Sequence, residues 1–256
     1  MRADWMFSHM FSFHDVLKIH DLIDLRSSCR LFCNSLPPPQ LWTTFPCFKH
    51  PTLQSLLDCL HKLYKSNSKN VPSLLLIDKG EYFARKKFVE IKFPISIRGF
   101  SCEKTILTFG LKIEGVKDAV VEICDVTIRE AEISGLWLKA GMNLVVRRSI
   151  VEKCRSYGVW AQGAHSRLYV KADDLQVIGC GWSGVSVGGG GTVRLSGENT
   201  RIQGNGTSGN SLDFGLCVED SSSNILLVAP LTKKTISINN GGGGNWGGFG
   251  IGMDFD

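Results

Sequence analysis

The two residues best suited to acid–base chemistry are the adjacent carboxylates Asp173 and Asp174. Two carboxylates that converge on one face can serve as general acid and general base at a glycosidic bond. Adjacent residues of a β-strand point to opposite faces, however, so these two side chains need not converge. In the repeat register given below they stand over Arg147 and Arg148, and we interpret the four residues as a solvated charge ladder.

Metal-binding and nucleophilic sets are not apparent in the sequence. The nine cysteines are odd in number and irregularly spaced, and no Cys-x-x-Cys pair occurs, so a zinc site is not expected. His165 lies near Arg167 in a predicted loop, where a surface histidine is the preferred interpretation. We therefore expect no catalytic residues, no metal and no cofactor.

Three tryptophans, Trp137, Trp160 and Trp182, are the main candidates for a partner surface. Trp137 and Trp160 stand 160 − 137 = 23 residues apart and alternate with apolar neighbours, so one set of side chains faces inward and the other outward. Outward tryptophans would form an apolar stripe suited to a protein or a sugar. Inward tryptophans would belong to the core, and an inward or half-buried position is the favoured interpretation.

Residues 120–187 contain the repeat that must position these side chains. A glycine followed by apolar residues recurs there after 158 − 135 = 23 and 184 − 158 = 26 residues, and the pattern returns with longer steps of 31 and 35. The recurring segments are Gly135-Leu136-Trp137-Leu138, Gly158-Val159-Trp160-Ala161, Gly184-Val185-Ser186-Val187, Gly215-Leu216-Cys217-Val218 and Gly250-Ile251-Gly252-Met253. A short period of this kind indicates stacked supersecondary units.

Short alternating runs rich in β-branched residues predict strands, and long stretches of helical period are absent from this region. The predicted fold is mainly β, a right-handed parallel β-helix in which each coil packs on the next. An offset of 23 puts Val151 over Ile128, and an offset of 26 puts Cys180 over Cys154. Like residues therefore stack on like, which predicts an inward ladder of small side chains.

Residues 1–51 have a different pattern, with Leu22 and Leu25 on one predicted helical face. Asp24-Leu25, Cys29-Arg30-Leu31-Phe32 and Leu41-Trp42 make this segment resemble an F-box, although the usual opening Leu-Pro is missing. The resemblance implies binding of a Skp-type adaptor through Leu22, Leu25, Leu41 and Trp42. The alternative is a small helical cap that packs Trp42 and Phe45 against the neighbouring coil.

Residues 52–66 predict an amphipathic cap helix with Thr52 as N-cap, followed by a strand ending in Gly80-Glu81-Tyr82. This opening and the periodicity make residues 52–256 resemble the pectin-lyase-like superfamily, which includes polysaccharide lyases, hydrolases and epimerases. Of the polygalacturonase-type motifs Asn-Thr-Asp, Asp-Asp, Gly-His-Gly and Arg-Ile-Lys, only Asp173-Asp174 is present. The resemblance thus predicts the fold and leaves the activity open.

The net charge of +5 is spread along the chain. The densest basic cluster, Arg85-Lys86-Lys87, is interpreted as a solvated loop rather than a nucleic-acid site, and glycine runs 188–191 and 241–244 as turns rather than phosphate loops. No secretory signal opens the sequence, so an intracellular protein, cytoplasmic or nuclear, is expected, with no membrane partner.

The sequence favours a non-enzymatic protein-recognition module, the substrate-binding subunit of a ubiquitin-ligase complex if the F-box-like segment works. The alternative is a carbohydrate-active enzyme, a polysaccharide lyase or hydrolase of the pectin-lyase-like superfamily. A structural or self-associating β-helix is the third hypothesis. The expected partner is a protein, with carbohydrate left open.

Overall fold

The computed structural model describes residues 42–68, 71–139, 141–163, 169–249 and 251–254, with the backbone alone for 251–254. These residues belong to one compact unit that begins at Trp42. The predicted adaptor-binding residues Leu22, Leu25 and Leu41 lie outside the described residues, as does His165.

Two helices and twenty-one strands occur in the described part of the chain. The helices are α1 (Leu53–Lys65) and α2 (Lys233–Ile236). The strands up to the middle of the chain are β1 (Trp42–Phe45), β2 (Leu74–Ile77), β3 (Gly80–Tyr82), β4 (Phe88–Ile91), β5 (Ile95–Gly99), β6 (Thr105–Leu107), β7 (Gly110–Ile113), β8 (Val120–Cys124), β9 (Thr127–Arg129), β10 (Leu136–Lys139) and β11 (Asn143–Glu152). Those that follow are β12 (Val159–Gln162), β13 (Tyr169–Ile178), β14 (Val185–Gly188), β15 (Thr192–Ser196), β16 (Arg201–Gln203), β17 (Phe214–Val218), β18 (Asn224–Val228), β19 (Ser237–Ile238), β20 (Gly244–Gly248) and β21 (Ile251–Asp254).

The strands stack in parallel into three faces of a β-solenoid, as the sequence predicts; the right-handed sense of the coil stays a prediction. Face 1 runs in the order β1, β2, β5, β8, β11, β13, β15, β18, β21. Face 2 comprises β3, β6, β9, the second halves of β11 and β13 (149–152 and 175–178), β16 and β19. Face 3 runs β4, β7, β10, β12, β14, β17, β20.

The core is a set of side-chain columns that run through the stack. One face 1 column has no solvent exposure at any of its seven positions, and neighbours in it are direct register partners: Leu75, Ile97, Ile123, Val146, Ala172, Leu195 and Leu227. Burying each large aliphatic side chain contributes about 1.5–3 kcal/mol before chain entropy is subtracted. Since every coil buries its inward residues against the next, the core is continuous along the axis.

The predicted register is confirmed where it is most specific. Ile128 pairs with Val151, and Cys154 and Cys180 are both buried. Arg129 pairs with Glu152, and its Nε lies 2.5 Å from the carboxylate.

Two columns of left-handed backbone turn the coils from β8 onward. One separates faces 1 and 2, and the other follows face 2. The first contains Asp125, Arg148, Asp174 and Gly197, with φ of 58°, 44°, 51° and 86°; the second contains Glu130, Lys153, Gly179, Gly204 and Asn239, with φ between 53° and 66°. Glycine and asparagine tolerate this conformation, whereas Glu130, Arg148 and Lys153 carry backbone strain in it.

Near the end of the chain, one prediction is wrong and another holds only for a shorter strand. Leu216 pairs with Trp246, whereas the segment after Gly250 forms β21 and pairs with β18, so Gly250 does not continue the glycine column. A glycine-rich strand has few side chains to specify its register, and the sequence pattern therefore aligned the wrong glycine with Gly215. The alternating residues 235–240 predict a strand equivalent to 201–205, and Ile202 does pair with Ser237 and Gln203 with Ile238. The strand is shorter than expected, because Thr232 caps the short helix α2 and only Ser237–Ile238 is extended.

The predicted cap helix is confirmed. Thr52 and Ser55 form a reciprocal capping box, and Leu53, Leu56, Leu57 and Leu60 are buried, whereas Leu63 is 39% exposed. The Gln54 side-chain amide accepts a hydrogen bond from Glu90 N–H at 2.7 Å and donates one to its carbonyl, so α1 satisfies the edge of β4.

Trp42 is the first residue of β1 and pairs with Leu74. The sheet therefore begins ahead of the boundary at Thr52 that the sequence suggested. Phe45 is buried and contacts Tyr82, with ring centroids 5.3 Å apart. Neither helix among the described residues is both long and apolar enough to cross a lipid bilayer.

Candidate binding surface

Trp137 and Trp160 face outward from face 3. Their strand neighbours Leu136 and Leu138 are fully buried, and alternation along β10 turns Trp137 to the other side. Both tryptophans are half-buried, because each covers the other. Of the two positions that the sequence left open, the structure shows the outward one, with the half-buried state that was expected.

The two indoles are part of a larger aromatic surface. Trp137 and Trp160 stack with centroids 5.0 Å apart and planes 14° from parallel. Phe88 lies 5.4 Å from Trp137 at one end; at the other, Tyr157 stacks on Trp160 at 5.0 Å and meets Trp182 edge-on at 5.1 Å. We call these five residues the aromatic ladder. Such pairs contribute about 0.5–1.5 kcal/mol each beyond the area that they bury.

The indole N–H groups of Trp137 and Trp160 are buried and have no hydrogen-bond acceptor. A buried donor without an acceptor costs about 1–3 kcal/mol. The ladder therefore carries a desolvation cost that ring stacking must offset. Trp182, by contrast, is 44% exposed and leaves an aromatic edge open to solvent.

Polar groups surround the Tyr157 end of the ladder. Burial raises the pKa of Tyr157 to about 12, and Glu219 and Asp213 add to the rise by charge repulsion. Ser186, which pairs with Trp160 in register, donates a hydrogen bond of 2.7 Å to Glu219.

The two acidic residues at this end, Asp213 and Glu219, come from opposite ends of one strand. Asp213 and Glu219 flank β17 at opposite ends, so their backbones are about 20 Å apart at ~3.3 Å per residue. Carboxylate pairs that cleave glycosides are separated by only about 5–10 Å. Burial raises the pKa of the Cys217 thiol, which disfavours the nucleophilic thiolate.

Lysines flank the opposite end of the ladder. The ammonium groups of Lys112 and Lys139 lie 5.3 Å and 5.9 Å from the centre of the Trp137 ring, within cation–π range. Lys112 also binds Glu114 at 2.9 Å and lies 3.5 Å from Glu90. The aromatic surface thus passes directly into a charged one.

A shallow cavity of about 550 Å³ continues this charged surface. We call it the lysine pocket. It lies against α1, the residues after β4 and β7, and the end of β10, and it is lined by His61, Lys65, Lys92, Glu114, Gly115, Val116 and Lys139. Burial lowers the pKa of His61, and the positive charges of Lys65 and Lys92 lower it further.

The pair Asp173 and Asp174 lies at the bend between faces 1 and 2, away from the strands of face 3. Asp173 pairs in register with Arg147, 4.0 Å from its guanidinium, and accepts a hydrogen bond from Ser196. Asp174 accepts the backbone N–H of Asn199. Both carboxylates have local partners, which agrees with the predicted charge ladder, although Arg148 makes its ion pair with Asp125 of the coil before it.

The first glycine run is a turn, as expected, and its amides already have partners. Asp220 accepts the N–H of Gly189 at 2.6 Å, and Ser223 accepts that of Gly190 at 3.0 Å. These two amides are therefore already paired and are not free to bind a phosphate. In the second run, Gly241 and Gly243 donate to backbone carbonyls.

The remaining candidates are unremarkable in position. The triplet Arg85-Lys86-Lys87 is an exposed loop. Among the described residues, no three His, Cys, Asp or Glu side chains are placed to hold a metal ion. Trp42, the one described residue of the predicted adaptor-binding set, is half-buried in β1.

Sequence reasoning did not find Phe88, Tyr157 or the flanking lysines as parts of the surface. The segment Tyr157-Gly158-Val159-Trp160 carried a usable signal, since a tight turn can bring its two aromatic residues together. No sequence signal pointed to Phe88, because it lies two coils before Trp137. It can contact Trp137 because its own register partner, Gly110, has no side chain.

The fold defines the class of the protein, a parallel β-solenoid with an aromatic outer surface. No family model, curated protein or solved structure matches this chain.

Proposed function

We propose that this protein is a non-enzymatic recognition module that binds a protein partner on face 3. The observation that carries the proposal is the outward stack of Trp137 on Trp160, extended by Tyr157 to the exposed edge of Trp182. Aromatic side chains dominate the energetics of protein interfaces. Lysines at one end supply a polar rim of the kind that surrounds such interfaces.

The further part of the proposal is that residues 1–51 dock on a Skp-type adaptor, which would make the protein the substrate-binding subunit of a ubiquitin ligase. It is supported by the resemblance of Asp24-Leu25, Cys29-Arg30-Leu31-Phe32 and Leu41-Trp42 to an F-box. An intracellular location fits this role, and the seven cysteines in the described part of the chain are all unpaired thiols, as in reducing compartments. The pectin-lyase-like relationship remains a resemblance of fold, and no converging acid–base pair in the described part favours the enzymatic alternative.

Binding to a purified Skp-type adaptor tests the ligase role. The full chain should be used, because β1 lies within residues 1–51 and a fragment would remove a strand from the solenoid. We expect titration calorimetry to show binding that is abolished by L22D/L25D and kept by W182A. Absence of binding by the wild type would remove the ligase role and leave the face 3 proposal standing.

Proximity labelling in cells tests face 3. Trp182 and Phe83 are 44% and 73% exposed, so alanine at either position should leave the fold intact. We expect W182A to lose the partner proteins that the wild type labels, whereas F83A, directly after β3 of face 2, keeps them. Equal labelling by both variants would contradict a role for the aromatic ladder.

A further inference from the structure

The lysine pocket lies at the end of the aromatic ladder. Lys139 belongs both to the pocket and to the cation–π contact with Trp137. From β4 to β12, which carry Phe88 and Trp160, face 3 advances three strand spacings, about 14 Å in all. About four residues of extended chain would span this distance, so one short segment can contact the ladder and the pocket together.

The charges in the pocket are not balanced locally. Lys92 is neutralised by Glu90 at 2.5 Å, and Glu114 is bound by Lys112 at 2.9 Å and lies 4.0 Å from Lys139. Lys65 makes no ion pair with any described residue. Asp58 of α1 also acts on His61 and Lys92 through its charge. The four ammonium groups of Lys65, Lys92, Lys112 and Lys139 thus exceed the three carboxylates of Asp58, Glu90 and Glu114 by 4 − 3 = 1, and Lys65 is the one without an ion pair among the described residues.

The geometry points to an acidic peptide segment of the partner as the occupant of the lysine pocket. This inference rests on the proposed function, since the same segment would also cover the aromatic ladder. The pocket is open and its ammonium groups come from separate elements, so it cannot strip the water from a small ion. Several carboxylates on one chain can instead each meet a lysine that stays partly hydrated, and their weak attractions add.

Fluorescence anisotropy with labelled peptides of about eight residues tests the inference on the full-length protein. One peptide has a Glu-rich half followed by Leu and Phe, and a second has Gln in place of every Glu. Lys65→Gln with Lys139→Gln removes two pocket charges. Lys62→Gln with Lys234→Gln is the matched control, because both side chains are exposed, neither lines the pocket, and the net charge of the two double variants is equal.

We expect the Glu peptide to bind the wild type at about 25 mM NaCl and to weaken at about 300 mM. The variant with Lys65→Gln and Lys139→Gln should bind the Glu peptide roughly tenfold more weakly than the wild type. The control variant should change the affinity by less than about twofold. Equal weakening by the two double variants would mean attraction by net charge alone and would overturn the inference, as would equal binding of the Gln peptide.

The same peptides separate this inference from the proposed function. If W182A leaves the Glu peptide bound while the lysine variant loses it, the pocket is an acidic site and the ladder is not part of it. Nuclear magnetic resonance of the His61 ring gives an independent signal. Bound carboxylates favour the imidazolium, so the Glu peptide should raise the pKa of His61, and an unchanged pKa would contradict occupancy of the pocket.

Discussion

Gly158 lies directly against Val177 of the following coil, so closely that a methyl group on its Cα would overlap Cγ1 of the valine. The same methyl group would stand 2.6 Å from the carbonyl oxygen of Gly184. Gly135 meets Val151, and Gly184 meets Ile202, in the equivalent way. The repeating glycine thus marks where face 3 closes on face 2 and the core has no room for a side chain.

Gly158→Ala should destabilise the protein by about 2 kcal/mol, because the added methyl group overpacks the core. Gly158 does not have positive φ, so strain from the backbone conformation is not involved. Gly209→Ala is the control: its φ is +78° but nothing lies within 4 Å of an added Cβ, and we expect a loss of about 1 kcal/mol from strain alone. Urea unfolding measures both, and equal losses would disprove the steric explanation.

Asn205 is a buried polar residue on which two neighbouring coils depend. Its side chain accepts the N–H of Cys180 at 3.0 Å and donates to the carbonyl of Val177 and to Oδ1 of Asn240. Asn205→Ala would leave buried groups unpaired and should lower the free energy of unfolding by about 2–3 kcal/mol.

Asn224, with an exposed side chain at the start of β18, provides the matched control. The free energy of unfolding of Asn224→Ala should lie within about 0.5 kcal/mol of that of the wild type. In a double-mutant cycle, Asn205→Ala and Asn240→Ala should together cost less than their sum, since they share a hydrogen bond. Full additivity would show that the two side chains act independently.

Asp220 should make stability depend on acid pH. Hydrogen bonds from Ser222, Gly189 and Ser223 lower its pKa to about 2, below the ordinary value of 3.8. Because the folded pKa is the lower one, the stabilisation is complete above about pH 4 and is lost as the pH falls towards 2. Asp220→Asn should flatten this part of the stability curve, whereas Glu103→Gln at an exposed turn should not. Urea unfolding between about pH 2 and pH 5 measures the difference, and parallel curves for Asp220→Asn and wild type would refute it.

Trp137 and Trp160 should be energetically coupled. A double-mutant cycle with Trp137→Leu and Trp160→Leu should give a coupling free energy of about 0.5–1.5 kcal/mol, the usual value for stacked aromatic pairs. A second double-mutant cycle, on Trp137 and Trp246, serves as the comparison. Trp246 lies outside the aromatic ladder, on β20, and does not contact Trp137, so we expect a coupling free energy near zero. Equal coupling in the two cycles would mean that stacking contributes nothing specific to the ladder.

The sequence predicted the parallel stack of coils and the register between Ile128 and Val151, since both depend on a pattern that recurs from coil to coil. It also predicted the cap helix, which has its own apolar stripe. It failed at Gly250, where glycine-rich sequence left the register unspecified. It also overlooked Phe88, which packs over Gly110 of the next coil and so comes within 5.4 Å of the Trp137 ring.

Local alternation and the recurring glycine were sufficient to define a parallel solenoid, because each coil imposes the same inward pattern on its neighbour. Alternation distinguishes two sides of a strand but does not say which is the core. Only the folded chain put Leu136 inside and Trp137 outside, and only the folded chain brought α1, β4 and β10 together around the lysine pocket. The physical reason is that these residues are distant in sequence, so their contacts depend on how every intervening turn closes.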